Sequence, residues 1–469
     1  MMKQIAAFLF ALMLAGPVWA QPNIIVIMTD DQSESLPIEA MPNVKSLIVD
    51  QGVRFTNSFT DFPLCCPDRA SLFTGLASHN HGIKANQSKG NGGWRAYRPF
   101  EANSLPVWLQ AAGYRTGLIG KYLNQYDESV VPPGWTRWMS GVGYYGGSTN
   151  DDGMLRQFGP GEYSTDVLAV EAVEFINSST QPFFLMVAPR APHTADSQKP
   201  PAAIPATRHA NAPAPNAPRS PSFNEANVKD KPSWVKSLST LSGSAISDID
   251  TAYRQAYRSL MAVDEMVAVI VAAAPPNTYI CYTSDNGFFY GEHRIKEGKI
   301  YSYEPSLRVP LICRGPGIPA GETRGGLVNT LDLSATIIDW ANATSGRVPD
   351  GKSFAPILAD ANASWRAAIF FSGDKTGNPN SKKSTGVRTL TRKYIKYADG
   401  FEELYDMVAD PHELVNKKAD PTYAADLMAL RTLHTQLATC VGEACWIPAE
   451  EPPPPSCTCE PQPCTCSCP

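Results

Sequence analysis

Three short runs in this chain end in residues that can do chemistry. NIIVIMTDDQ, from Asn23, carries Asp30 and Asp31 at the end of an apolar stretch. PFFLMVAPRAPH, from Pro182, ends on His193, and NTYICYTSDNG, from Asn277, runs into Asp285 and Asn286. Brought together, Asp30, Asp31, Asp285 and Asn286 make an oxygen-only nest, which suits calcium or magnesium far better than zinc. Taken singly, an Asp-Asp pair can cap a helix and Asp-Asn-Gly can be a turn. Arg69, Lys121 and Lys299, with His193 and His293, would ring the same edge. Carboxylates that hold a metal inside a ring of cations imply a tetrahedral oxyanion substrate, because metal and cations neutralise charge that develops in transfer.

A fourth stretch, PLCCPDRASLFTG from Pro63 to Gly75, sets Cys65 and Cys66 before Pro67, Asp68 and Arg69. Buried cysteine can serve as a small hydrophobe, and Pro67 can sit in the first turn of a helix. A cysteine beside a cation is also one that is activated or modified.

The elements that must position these residues follow from the apolar patterning. Short apolar runs from Asn23, Pro182 and Asn277 read as buried strands with polar tips. MPNVKSLIVDQGVRFTNSF and SLPVWLQAAGYRTGLIGKYLN each read as helix then strand, and DIDTAYRQAYRSLMAVDEMVAVIVAAA as a long amphipathic helix. Strands alternating with helices predict an α/β fold with a mostly parallel sheet covered on both faces. Parallel strands bring their C-terminal tips to one edge. The Pro- and Ala-rich span 194–234 is too long for an ordinary connection and reads as an excursion near the site or a flexible one. Beyond Val348, alternation suited to antiparallel strands and a helix through ADLMALRTLHTQL predict a smaller α+β subdomain.

The expected organisation is an export signal over 1–20, a catalytic domain over 21–347, the α+β subdomain over 348–439, and a Pro/Cys-rich tail over 440–469. Lys3, the apolar IAAFLFALMLAG and Ala20 make the signal, so the chain is expected to be secreted or periplasmic, with a mature start near Gln21. No other segment has the length of a transmembrane helix. A net charge of −5 argues against a nucleic-acid partner. The late cysteines, Cys440, Cys445, Cys457, Cys459, Cys464, Cys466 and Cys468, are expected to pair with one another in an oxidising compartment, while Cys281 and Cys313 fall in strand-like runs.

Cys65-Cys66-Pro67-Asp68-Arg69 with Thr74-Gly75 is similar to the type I sulfatase signature C-x-P-x-R…TG. MTDDQ, APHT, SDNGFFYGEH, GKIYSYE, LRVPLICRGPG and KYIKYADGFEELYDMVADPHELVN resemble its companion motifs in the family's order. The resemblance spans about Asn23 to Leu437. The tandem cysteine, His79-Asn80-His81 and Lys121-Tyr122-Leu123-Asn124 resemble the N-acetylglucosamine-6-sulfatase type. It implies an alkaline-phosphatase-like fold and a calcium-dependent sulfatase acting on a sulfated carbohydrate. It also implies that a maturation enzyme oxidises Cys65 to Cα-formylglycine, whose hydrated aldehyde attacks sulfur and then expels sulfate. By the same resemblance Asp30, Asp31, Asp285 and Asn286, with residue 65, are the metal ligands. Arg69 holds the hydrated aldehyde, and Lys121, His193 and Lys299 bind sulfate, with His193 or Lys299 protonating the leaving oxygen.

Two features depart from the family pattern. Asp68 stands where a small residue is usual, and could weaken maturation or add charge near the site. Leu123 stands where arylsulfatases carry a histidine, so the base for aldehyde regeneration is unassigned. His81 and His293 are its candidates, and Asn124, His81 and His293 are the expected further substrate contacts. The competing readings are a phosphonate or phosphodiester hydrolase of the same fold, and a non-catalytic glycan-binding scaffold in which Cys65 stays a thiol.

Overall fold

The computed structural model describes residues 21–449 except 88–90, 142, 196 and 374–382. The export signal and Cys457, Cys459, Cys464, Cys466 and Cys468 lie outside the described residues. Ten strands form the larger sheet: β1 (Asn23–Thr29), β2 (Val53–Phe59), β3 (Arg115–Gly120), β4 (Arg137–Ser140), β5 (Tyr145–Asp151), β6 (Met154–Tyr163), β7 (Phe183–Ala188), β8 (Thr278–Ser284), β9 (Leu311–Arg314) and β10 (Glu322–Asn329). Their order is β10-β2-β9-β8-β1-β7-β3-β4-β5-β6. The centre, β8-β1-β7-β3-β4, is parallel, as the buried apolar runs require. The β4-β5-β6 edge and the insertion of β9 between β2 and β8 are antiparallel. Sequence patterning did not show these: β9 is four residues long, and β5–β6 is glycine-rich and largely solvated.

Alternation along β1 divides the core. Ile25 and Ile27 face the helices Ser164–Asn177 and Gly243–Ala273, while Ile24, Val26 and Met28 face the helices Cys65–Thr74, Leu105–Ala111 and Thr330–Trp340. Register then fixes the site. Thr29 pairs with Ser284, and Gly120 with Ala188, so the residues after β1, β8, β3 and β7 leave one edge side by side. Cys281 and Cys313 pair across β8 and β9 and are disulfide-bonded, a link the sequence placed in strands but did not join.

A separate antiparallel sheet contains β11 (Ala368–Gly373), β12 (Ser384–Thr389), β13 (Arg392–Tyr397) and β14 (Glu402–Asp406), in that order. Phe370, Val387, Tyr394 and Leu404 bury one face under the helix Ala424–Leu437. Ile369, Phe371, Ile395 and Tyr405 bury the other against Tyr301, Tyr303 and Leu307. Cys440 and Cys445 form a disulfide beside that helix, in line with pairing among the late cysteines. The 194–234 excursion has little regular structure yet packs firmly. Ala202, Ala203, Ala206 and Ala217 are buried in the main core, and Arg219 pairs with Asp250 of the long helix. The flexible alternative is therefore set aside.

Candidate active site

The helix Cys65–Thr74 is buried along its whole length and ends on Gly75 at φ 69°, a left-handed stop that glycine adopts without cost. Cys65 is its first residue. Arg69, four positions on, lies on the same face one turn later. The cysteine Sγ is 3.3 Å from Asp30 Oδ1 and 3.9 Å from Asp31 Oδ1, and Lys299 Nζ donates to it at 2.8 Å. Arg69 Nε donates to Asp285 Oδ2 at 2.8 Å, and an Nη donates to the Lys121 carbonyl at 2.8 Å. Lys121 Nζ donates to Asp30 Oδ2 at 2.5 Å, Lys299 Nζ donates to Asp31, and Asn286 Nδ2 donates to Asp31 Oδ1 at 2.7 Å. Asp31 sits at φ 71°, a left-handed backbone that turns the chain sharply after β1 while its amide donates to Asp285 Oδ1. His193 Nε2 lies 3.7 Å from Asp31 Oδ2, and its Nδ1 is 2.6 Å from the Thr194 carbonyl.

The electrostatics follow from burial and pairing. Burial, then the Asp30 charge, pushes the Cys65 thiol up to about 12, so the unmodified side chain is a poor nucleophile at neutral pH. Against burial, Lys121, His193, Lys299 and Arg69 together hold Asp30 well below the usual carboxylate range. Burial opposes charge on Lys121 and Lys299 too, but Asp30 and Asp31 respectively keep both ammoniums charged. Two buried polar atoms in the cluster lack a hydrogen-bond partner: one Nη of Arg69 and Oδ1 of Asn286. An orphaned carboxamide oxygen beside three carboxylates is the donor set of a hard divalent cation, and the residues fit calcium or magnesium.

A cavity of about 390 Å³ opens on this cluster, lined by Asp30, Lys121, Asn124 and His193 together with Tyr126, Glu128 and Arg190. Asn124 Oδ1 is buried there without a partner. Arg190, Tyr126 and Glu128 were not among the sequence candidates. Only the position of Arg190, three residues before His193, hinted at it.

The structure does not bring His81 or His293 to the cluster. His81 contacts Ser71 Oγ at 3.0 Å, accepts from the Ile83 amide at Nδ1, and is pushed down to about 3 by burial. His293 faces Glu225 at 2.7 Å and lines a second cavity of about 350 Å³ with Ser222 and Glu292. His81 ends the short helix Ser78–His81 and His293 sits in a loop, and motif spacing reveals neither orientation. Asp68 is likewise turned away from the cluster. Thr60 and Thr330 hydroxyls and the Asp61 amide donate to it, and burial pushes its carboxyl well above the usual range. Cys66 is buried beneath the helix start, its amide donating to Asn86 Oδ1.

Residues 22–343 match the sulfatase family model, and residues 291–440 match the N-sulphoglucosamine sulphohydrolase C-terminal model. The chain is 32% identical to N-acetylglucosamine-6-sulfatase from Capra hircus, over 91% of this chain and 85% of that one. A solved structure described as in complex with its substrate D-glucosamine-2-N,6-O-disulfate superposes with a TM-score of 0.74 at 26% identity, covering 89% of this chain and 98% of that one. A phosphonate monoester hydrolase of Agrobacterium radiobacter shares the fold, with a TM-score of 0.65 at 21% identity over 92% and 100% of the two chains.

Proposed function

This chain belongs to the sulfatase family and is a sulfuric ester hydrolase, and from that premise we propose that it removes a 6-O-sulfate from a glucosamine-type sugar through a formylglycine made from Cys65. The observation that carries the reading is the meeting of Cys65, at the start of its helix, with Lys299 and with Asp30 and Asp31 at the tip of β1. A hydrated aldehyde at position 65 supplies an oxygen nucleophile and a second hydroxyl for sulfate release, and a calcium ion held by Asp30, Asp31, Asp285 and Asn286 supplies positive charge against the sulfate oxygens. Arg69, with one Nη free of partners, holds the oxygen at position 65. Lys121 and Lys299, kept charged by Asp30 and Asp31, bind and orient the sulfate. His193 commits Nδ1–H to the Thr194 carbonyl, which leaves Nε2 as the proton-carrying atom when the ring is charged. From there it delivers a proton to the departing sugar oxygen.

The sugar assignment is supported by the glucosamine-6-sulfatase relatives. The phosphonate reading has a shared fold behind it and no more. Secretion accords with the sequence at the N-terminus, and no helix among the described residues is long and apolar enough to cross a membrane. Peptide mass spectrometry across Cys65 on protein from its native host tests the proposal. We expect the mass of an aldehyde in place of the thiol, together with turnover of N-acetylglucosamine 6-sulfate. An intact thiol in protein that still turns over the ester would sink the formylglycine route, and preference for an aryl phosphate over an aryl sulfate would sink the sugar-sulfate assignment.

A further inference from the structure

The arginines of this protein are mostly spoken for. Arg137 pairs with Asp151, Asp152 and Glu171, and Arg208 pairs with Asp166 and Glu265. Arg190 differs. It lines the cavity that opens on the Cys65 cluster, and no carboxylate pairs with it among the described residues. Its Nε is buried without a hydrogen-bond partner, and one Nη makes only a 3.5 Å contact with the Thr194 carbonyl. The Tyr144 ring, 5.7 Å from the guanidinium carbon, supports it from one side. A guanidinium held in place with its fork unfilled is costly unless a ligand completes it, because a donor left unmade loses its water for nothing.

The cavity needs no further cation for one sulfate. Lys121, Lys299 and His193 already stand at the cluster, so Arg190 is surplus to binding the ester that is cut. Glu128 lines the same cavity; its carboxylate meets Ser148 Oγ at 3.4 Å and has no cation partner among the described residues. The cavity thus carries both signs of charge beyond the cluster. An anion on the substrate is drawn toward Arg190 and repelled from Glu128, whereas sugar hydroxyls can donate to Glu128.

We propose that Arg190 is a specificity residue that receives a second anionic group of the saccharide, a sulfate or carboxylate other than the ester being hydrolysed. This rests on the sulfatase reading of the same cavity. Arg190 joins such a group by paired charge-assisted hydrogen bonds, and the neutral counterpart of the sugar leaves that fork empty.

Equilibrium binding tests it without requiring turnover. Dissociation constants are measured by calorimetry on the full chain produced with Cys65 left as the thiol, so that the ester is not consumed, for glucosamine 6-sulfate bearing an N-sulfate, for N-acetylglucosamine 6-sulfate, and for the latter linked to a uronate. The wild type is expected to prefer at least one doubly anionic sugar by roughly ten- to hundredfold. In Arg190→Gln that preference collapses toward one, and Arg190→Lys restores part of it. Which sugar shows the preference separates an N-sulfate from a uronate as the source of the second anion. No preference in the wild type, a preference that survives in Arg190→Gln, or binding of none of the three overturns the proposal. Aryl sulfate turnover by the wild type is read separately. Its absence alongside an Arg190-dependent preference would sink the sulfatase reading and leave the role of Arg190 standing.

Discussion

Two regions of this molecule bury many charges, and they do it in opposite ways. Beneath the smaller sheet, Lys393 Nζ reaches Glu304 Oε1 at 3.0 Å and Glu413 Oε1 at 2.7 Å, and Lys231 Nζ donates to the carbonyls of Glu413 and Leu414. Glu403 accepts from the hydroxyls of Tyr303, Tyr397 and Tyr405. Each of these buried charges finds a cation, hydroxyl or carbonyl within the fold. At the Cys65 cluster, by contrast, an Nη of Arg69 and Oδ1 of Asn286 are left without partners, and a cavity opens beside them. The first network ties the smaller sheet to the helix Glu304–Leu307 and to the loops at Lys231 and Glu413. The second carries unmet bonding capacity, which a ligand can complete. Buried charge by itself therefore does not mark a site; unmet valence next to a cavity does.

The comparison can be broken by substitution. Lys393→Met leaves Glu413 buried without its cation, while Glu304 keeps Arg388 at 3.4 Å, so unfolding free energy measured by denaturant should fall by about 3 kcal/mol, with turnover per folded molecule little changed. A stable Lys393→Met would mean that the network is dispensable. Asn286→Ala, on the other side, should cut turnover by roughly a hundredfold and abolish the rise in Tm expected on adding calcium, with at most about 1 kcal/mol lost from the missing bond to Asp31. If Asn286→Ala unfolds like Lys393→Met, the two regions are not different in kind. The smallest effect concerns Glu225, the partner of His293. Burial pushes its carboxyl up from 4.5 to about 7 and the imidazole down to about 3. Between those two carboxyl values the folded state holds a proton that the unfolded chain has lost, so this group makes stability fall as pH rises. His293, pushed down by burial, works the other way up to its ordinary 6.5, so Glu225→Gln should remove the fall and leave Tm rising with pH below 6.5; an unchanged slope would place the titration elsewhere.

Much of the site was legible because its residues sit at strand ends. Asp30, Asp31, Lys121, His193, Asp285 and Asn286 each follow a short apolar run, and parallel register carries all such tips to one edge. The Cys65–Arg69 pair was legible as a cysteine beside a cation and through its resemblance to the sulfatase signature. His81 and His293 were misplaced because neither a four-residue helix nor a loop has a period long enough to say which way a side chain faces. The orientation of Asp68 was equally hidden, since one residue of helix turns a side chain by about 100°.

By itself, then, the sequence determined the alternation of strands and helices, the smaller antiparallel sheet, and the set of groups able to hold a cation and an oxyanion. Those properties are local: apolar period, turn residues and side-chain chemistry. Only the tertiary structure decided that Cys281 faces Cys313, that Asp68 is withdrawn from the cluster among threonines, that the 194–234 excursion packs on the long helix, and that Arg190 stands unpaired in the cavity. Each of these depends on register and packing between segments far apart in the chain, where burial sets which polar groups are met and which are left open.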